Sequence, residues 1–331
     1  MKHFIIDLLK IETKPRKGLL ALEWAVLAYL VLTTLVILFT YTRLENPESM
    51  LWGRLRIVAM TMGLWIVYRL VPCKLTQLAR VLAQFGLLAW WYPDTYEINR
   101  IFPNLDHWFA TCEQQLFGFQ PSVSFSQVFS SPIISELMDL GYVAYYPMMV
   151  FLVLFYFFYD YKNFQRCAFV IIASFMVYYV IYDFLPVVGP TFYFKAIGMD
   201  SVSKGIFPAV GHYFNTHTDC IPSPGYPNGL FYQLVESAKE AGERPTAAFP
   251  SSHVGVSTVC MLLAWRTQNR WLFWTLMPFF AFLSTKRKPS ASAFSRFSLS
   301  ELSMISGTYS SVERIARSSF RPASASLVTF T

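Results

Sequence analysis

Long apolar runs separated by polar loops dominate this chain. The first run, residues 19–41, contains an apolar stretch of about 20 residues, which is enough to cross the hydrocarbon core of a bilayer. It is too long for a signal-peptide core, and no small-residue cleavage site follows it. Further apolar runs occupy residues 57–71, 81–92, 140–159, 168–187, 253–265 and 271–283. The pattern predicts an all-α, polytopic membrane bundle of about six or seven spans.

The charges in the loops predict how the bundle is oriented. If the N-terminus is cytoplasmic, the loops on that side contain basic residues: Lys74, Arg80, Lys162, Arg166, Arg266 and Arg270. The long loop on the other side, residues 93–139, is acidic apart from Arg100. This distribution agrees with the positive-inside rule. We therefore predict a cytoplasmic N-terminus and place the second long loop, residues 188–252, on the outer (periplasmic or lumenal) face.

Composition supports a membrane protein and excludes a nucleic-acid partner. The chain is 54% hydrophobic and only 14% charged, with a mean hydropathy of +0.39, which is too apolar for a soluble domain. The net charge of +7 comes from basic clusters between apolar runs, as in membrane-protein loops. The five cysteines show no metal-binding spacing. Cys112 and Cys220 lie in the two long loops and could form a disulfide bond there.

The segment "AFPSSHVGVSTV", residues 248–259, combines polar side chains with the start of an apolar helix. A helix N-terminus offers N–H groups and a positive dipole end to a phosphate. Ser251 or Ser252 can cap the helix or bind phosphate, and His253 can protonate a departing alkoxide. The alternative is a simple helix cap followed by an interfacial histidine.

Other ionisable residues near this segment are weaker candidates. Arg244 and Lys195 could clamp a phosphate, or they could contact lipid headgroups. Asp183 lies near the end of the predicted span 168–187, where an ionisable residue is a functional candidate or the partner of a nearby basic residue. The loop residues His212, His217 and Asp219 make a poor metal set, because a loop fixes no ligand geometry.

Three segments together resemble the type 2 phosphatidic acid phosphatase superfamily, and most closely its branch that contains inositol phosphorylceramide synthases. They are "AFPSSHVGVSTV", "LPVVGPTFYF" at 185–194 and "LDHWFATCEQQLFG" at 105–118. The resemblance spans about residues 104–284. It implies transfer of a phosphoryl or phosphoalcohol group on membrane lipids, possible acceptors being ceramide or water. It requires no metal and no cofactor, because histidine performs the covalent step.

The same resemblance exposes two departures. In that family, the histidine equivalent to His253 protonates the leaving oxygen. A second histidine, in R-x5-H-x3-D, attacks phosphorus, and the resemblance places that motif just beyond residue 285. No histidine follows His253 in this chain. "KEAGERP", residues 239–245, places four residues between Lys and Arg-Pro, where the family has six. We therefore expect either an impaired lipid phosphatase or phosphotransferase, or a catalytically inactive relative.

The C-terminal residues change abruptly in composition. Residues 284–331 are rich in serine and basic residues, which predicts disorder. The preceding apolar run is shorter than a span, so a frameshift or a truncated gene model is favoured over a genuine tail. The predicted organisation is a basic N-terminus (1–18), N-terminal transmembrane helices (19–92), an incomplete phosphatase-like membrane domain (93–283) and this tail (284–331).

Overall fold

The computed structural model describes residues 2–128, 131–223 and 225–286. These residues form helices and contain no β-strand, as the all-α prediction requires. The helices are α1 Lys2–Leu9, α2 Ala21–Phe39, α3 Pro47–Leu70, α4 Lys74–Asn99, α5 Asp106–Phe117, α6 Pro121–Val128, α7 Pro132–Val143, α8 Tyr145–Tyr159, α9 Tyr161–Phe184, α10 Pro190–Ile197, α11 Met199–Ser203, α12 Leu230–Gly242, α13 Ser252–Arg266 and α14 Arg270–Lys286. Residues 287–331 of the predicted tail lie outside the described residues.

Three described helices are long and apolar enough to cross a membrane: α2, α3 and α9. The pair α7 and α8 makes a fourth if it counts as one span. Helix α4 is long but carries buried charges, and α13 and α14 have only 15 and 17 residues. The described part of the chain therefore contains three to four candidate spans, and every predicted apolar run lies largely within a helix.

The run predicted as one span at 140–159 is broken. Helices α7 and α8 meet at Ala144 with a bend of 50°. Pro147 lies in the first turn of α8. It has no N–H for the carbonyl of Val143 four residues earlier, and its ring would clash with that carbonyl in a straight helix. Pro147 therefore separates the two helices.

Helix α9 forms the centre of the bundle. It packs against α2, α4, α8 and α13, and most of its side chains are buried. A helix that is apolar on every side is stable only when it is covered on every side. Residues 167–179 are apolar or aromatic apart from Ser174, and most of them are buried. The end of the bundle at which α9 ends and α13 begins is called the site end below.

Two buried ion pairs join the N-terminal helices. Arg80 of α4 donates two hydrogen bonds to Glu23 of α2, of 2.8 and 2.5 Å, and both side chains are fully buried. Arg54 of α3 likewise makes two hydrogen bonds to Asp94 of α4, of 3.0 and 2.7 Å. A buried charge is tolerated when it is paired and hydrogen-bonded. These pairs explain how charged residues fit inside otherwise apolar helices.

Asp106 fixes the loop that follows α9. Its carboxylate accepts hydrogen bonds from the backbone N–H groups of Val188 and Gly189, both at 2.7 Å, and from the Asn104 side chain. Burial raises the pKa of Asp106, and these hydrogen bonds oppose the shift. Gly189 has a φ of 87°, a conformation that favours glycine. The α9–α10 connection is therefore held against the start of α5.

Cys112 and Cys220 are both free, so the disulfide considered from the sequence is not formed. Cys220 packs against an apolar cluster that contains Ala110. Ala110 and Cys112 are two residues apart in α5, which places them on nearly opposite faces of the helix. Cys112 is exposed and turned away from the cluster that holds Cys220.

Candidate active site

The segment around His253 forms the start of α13. Ser251 is the N-cap residue, with extended backbone, and its Oγ accepts a hydrogen bond of 3.4 Å from the backbone N–H of Val254. In this contact the hydroxyl oxygen acts as the acceptor, as expected of an N-cap serine. Of the two serines proposed from the sequence, Ser251 is therefore the one that caps the helix.

Two tyrosine rings enclose the imidazole of His253. The ring of Tyr142, at the end of α7, stacks on it with centroids 4.7 Å apart and an interplanar angle of 14°. The ring of Tyr145, at the start of α8, stacks on it at 4.3 Å and 28°. Both tyrosines flank the bend between α7 and α8, so the bend presents the two rings to His253. The imidazole itself is only partly buried.

Further tyrosines hold the backbone of the same segment. The Tyr182 hydroxyl donates a hydrogen bond to the carbonyl oxygen of Pro250 (2.7 Å) and accepts one from the N–H of Ser252 (3.0 Å). The Tyr145 hydroxyl donates to the carbonyl oxygen of Ser252 (3.1 Å). The N–H of Ser252 is thus already used inside the protein. Ser252 is buried and serves chiefly to fix the position of the loop.

Gly255 allows α13 to pack closely against α9. A β-carbon at this position would overlap the hydroxyl of Tyr178 and lie 2.5 Å from the ring carbon that bears it. Tyr178 belongs to α9, so the glycine lets α13 approach the central helix closely. Small residues commonly permit such close packing between helices in membrane proteins.

The end of α14 returns to this region. A β-carbon on Gly141 would lie 2.6 Å from the backbone nitrogen of Leu283 and 2.9 Å from the β-carbon of Phe282. Gly141 precedes Tyr142, one of the rings stacked on His253. The chain therefore leaves α14 beside the enclosure of His253, where the resemblance places the second histidine.

Arg244 lies in the loop just before the segment, and Lys195 lies in α10. Arg244 is exposed, and its carbonyl oxygen accepts hydrogen bonds from the N–H of Thr246 (2.7 Å) and the hydroxyl of Tyr92 (3.4 Å). The N-terminus of α10 contacts the beginning of the segment, since a β-carbon on the N-cap residue Gly189 would lie 2.9 Å from the β-carbon of Ala248. Lys195 lies in the last turn of α10, about 8 Å further along the axis at 1.5 Å per residue.

Asp183 belongs to a different neighbourhood. It is buried, and its carboxylate accepts a hydrogen bond of 3.1 Å from the hydroxyl of Tyr29 on α2. The preceding residue, Tyr182, contacts the His253 segment instead. Asp183 is therefore linked to the segment only through the α9 backbone. The loop residue His217 is also separate, since its exposed ring stacks on Tyr213 at 4.1 Å.

Lys239, the first residue of "KEAGERP", is held within its own region. Its Nζ lies 3.1 Å from Glu236 and 3.9 Å from Glu243, and it donates a hydrogen bond to the hydroxyl of Ser223. Its charge is therefore largely compensated in and around α12.

The sequence profile of the PAP2 superfamily matches residues 107–285. The chain belongs to this superfamily. The match runs from α5 to the end of α14, and so includes the enclosed histidine and the helices α7 and α8 that supply its stacked rings. Membership in the PAP2 superfamily supports lipid phosphatase or phosphotransferase chemistry on lipid phosphates in a membrane. Comparisons with curated proteins and with solved structures gave no match.

The tyrosines around His253 were not found from the sequence. From the sequence, Tyr142 and Tyr145 are most simply explained as part of an interfacial aromatic belt and as packing residues. The available signal was Pro147, which predicts a break in the apolar run. A break there places Tyr142 and Tyr145 at two adjoining helix ends instead of along one lipid-facing helix.

Proposed function

We propose that this PAP2 protein binds the phosphate of a membrane lipid at the start of α13, with His253 as its proton donor. The observation that carries the proposal is the enclosure of His253 between Tyr142 and Tyr145 at a capped helix N-terminus. A helix dipole favours an anion at this end, and the fixed ring can meet a leaving oxygen without reorganising.

His253 would act when the phosphorus–oxygen bond of the lipid breaks. The proton passes from an imidazole ring nitrogen to the departing alkoxide oxygen, which leaves as an alcohol. Ser251 lies at the helix N-terminus that faces the phosphate, and Arg244 supplies positive charge from the neighbouring loop. Ser252 holds the segment in place, while Asp183, which is hydrogen-bonded to α2, and Lys195, at the end of α10, are weaker candidates.

The finer assignment is an enzyme similar to inositol phosphorylceramide synthases. A ceramide-like hydroxyl would then accept a phosphoinositol group, whereas water would be the acceptor in a phosphatase. We further propose the complete arrangement of six or seven spans, with a cytoplasmic N-terminus and His253 on the outer face. The residues 93–283 would form the phosphatase-like domain.

Turnover requires a nucleophile that this chain does not supply in the expected place, since no histidine follows His253. We therefore expect the purified full chain to release no phosphate and to transfer no headgroup above the level of His253→Ala. The assay offers phosphatidate, and phosphatidylinositol with ceramide, in detergent micelles. Robust turnover that His253→Ala abolishes would contradict the proposed impairment.

A catalytically inactive relative is the second candidate, because the absence of the second histidine favours it equally. The nucleotide sequence beyond codon 285 separates the two. Another reading frame that encodes Arg-x5-His-x3-Asp after an apolar run would support an enzyme. Its absence from every frame would support the inactive relative.

A further inference from the structure

Helix α5 carries an apolar stripe that the described protein does not cover. Trp108 and Leu116 are 67% and 74% exposed, and Cys112 lies exposed midway between them. Residues at four-residue intervals lie on one face of a helix. The opposite face buries Asp106 and Ala110 against the protein. Helix α5 is therefore packed on one side and leaves large apolar side chains on the other.

The start of α5 lies at the level where a candidate span ends. The N–H of Leu105 donates a 2.9 Å hydrogen bond to the carbonyl oxygen of Pro186, two residues beyond α9. The ring of Phe109 lies 4.9 Å from that of Phe249, just before α13. Helix α5 is thus attached to the site-end termini of α9 and α13, and its first turn lies beside the membrane boundary.

The apolar surface of α9 continues toward α5. Phe184, the last residue of α9, is 45% exposed, and its ring lies 6.2 Å from that of Phe102 in the segment leading into α5. Since α9 is a candidate span, its exposed apolar side chains face lipid. The stripe on α5 therefore adjoins a surface that is already lipid-facing.

The chemistry of the exposed face fits a membrane interface. Trp108 is the residue type most enriched at the headgroup level of membranes. The stripe contains no charge, and the exposed residues beside it, Thr111 and Gln115, are uncharged and polar. A helix of this kind lies in the plane of the interface, with its apolar side in the acyl–headgroup boundary.

We propose that α5 lies in the membrane interface at the site end, with Trp108, Cys112 and Leu116 against lipid and Thr111 toward water. The occupant of the stripe is the lipid surface, and neither a second copy of the chain nor another protein. The inference does not depend on turnover. Because α5 contacts the His253 segment through Phe109, its insertion would hold that segment at headgroup height.

The natural Cys112 provides a direct probe. The full chain carrying Cys220→Ser is labelled with a nitroxide and placed in phosphatidylcholine nanodiscs. The label attaches to the exposed Cys112, because the remaining cysteines, Cys73, Cys167 and Cys260, are buried inside the protein. Oxygen concentrates in hydrocarbon, whereas a nickel chelate stays in water. We expect oxygen to relax the label at Cys112 more strongly than the nickel chelate does.

The matched control moves the label by one residue. Thr111→Cys, in a chain that also carries Cys112→Ser and Cys220→Ser, turns the label by about 100° around α5. We expect the nickel chelate to relax this label more strongly than oxygen does. Equal nickel accessibility at the two positions would overturn the proposal. So would an immobilised label at Cys112 from which both reagents are excluded, since that indicates a protein partner.

An unlabelled measurement checks that the nitroxide has not moved the helix. Tryptophan fluorescence is quenched by brominated phosphatidylcholine, and Trp108→Tyr should remove part of the quenched signal. Trp24 is comparably exposed on the candidate span α2, so Trp24→Tyr gives the loss expected of a lipid-facing tryptophan. Quenching unchanged by Trp108→Tyr would overturn the proposal.

Discussion

At the residue scale, His253 is positioned by aromatic side chains from three other helices. Tyr142 and Tyr145 stack on its ring, and Tyr182 binds the backbone on both sides of Ser251. Rings are rigid and lose little conformational entropy when they are fixed. This arrangement confines the imidazole to one orientation before any ligand arrives.

Gly255→Ala should disturb this arrangement. Alanine normally stabilises a helix interior relative to glycine by about 1 kcal/mol, but here its β-carbon overlaps Tyr178. We expect a lower thermal unfolding midpoint in detergent. Gly63→Ala is the matched control, because Gly63 lies in α3 with no atom near the added carbon, and it should raise the midpoint or leave it unchanged. Equal effects of the two variants would show that α13 and α9 are not closely packed.

Glu113 gives stability a pH dependence. Burial, and secondarily the charge of Asp106, raise the pKa of Glu113 from its ordinary 4.5 to about 7. The folded protein therefore retains a proton that the unfolded chain releases, and this stabilisation is lost as pH rises from 4.5 to 7. We expect Glu113→Gln to flatten the decline of the unfolding midpoint across this range. If the unfolding midpoint of Glu113→Gln fell with pH as steeply as that of the wild type, groups other than Glu113 would cause the pH dependence.

At the element scale, the buried pair Glu23–Arg80 locks α2 to α4. Removing one partner of a buried pair leaves an uncompensated charge, which costs about 3–5 kcal/mol. We expect Glu23→Gln to lower the free energy of unfolding by that amount, and Glu23→Gln with Arg80→Met to recover part of it. Titration with a denaturing detergent measures the free energy of unfolding of the single and the double variant.

The exposed pair Lys74–Asp7 is the control for this comparison. Its side chains are 32% and 60% exposed, and exposed pairs contribute little. Lys74→Met should therefore leave unfolding nearly unchanged. If Glu23→Gln behaved in the same way, the pair would not be buried as the structure shows it.

The long apolar helices were largely predictable from the sequence, whereas the residues that their side chains contact in other helices were not. Apolar runs locate helices because the spacing of apolar residues is a local property. The sequence shows Arg80 only as one of several basic residues between apolar runs, and the three-dimensional packing identifies Glu23, 57 residues away in sequence, as its partner. The bend at Ala144 was missed although Pro147 marks it.

The site was predictable to a similar degree. His253 and the capping serines follow from a short motif, because a helix start is also a local feature. The tyrosines come from elements more than 60 residues away in the chain, so no local pattern links them to His253. Lys195 was selected for its charge and Asp183 for its depth in a predicted span, and the roles of both remain predictions.

At the scale of the whole molecule, the PAP2 chain is a helical bundle whose site end gathers α5, the bend between α7 and α8, and the start of α13. The end of α14 reaches the same place, beside Gly141. The described helices thus supply the surroundings of one histidine and lead the chain to the position expected for the second. Binding of a lipid phosphate should therefore be retained even where turnover is not.

The most direct measurement is calorimetric titration of the detergent-solubilised full chain with a short-chain phosphatidate. Loss of a hydrogen bond to a charged group corresponds to about 10- to 100-fold in affinity. The account predicts that His253→Ala weakens binding by about this factor, while His217→Ala, in the exposed loop, binds like the wild type. Wild-type affinity in His253→Ala, or an equal loss in His217→Ala, would contradict a phosphate site at the start of α13.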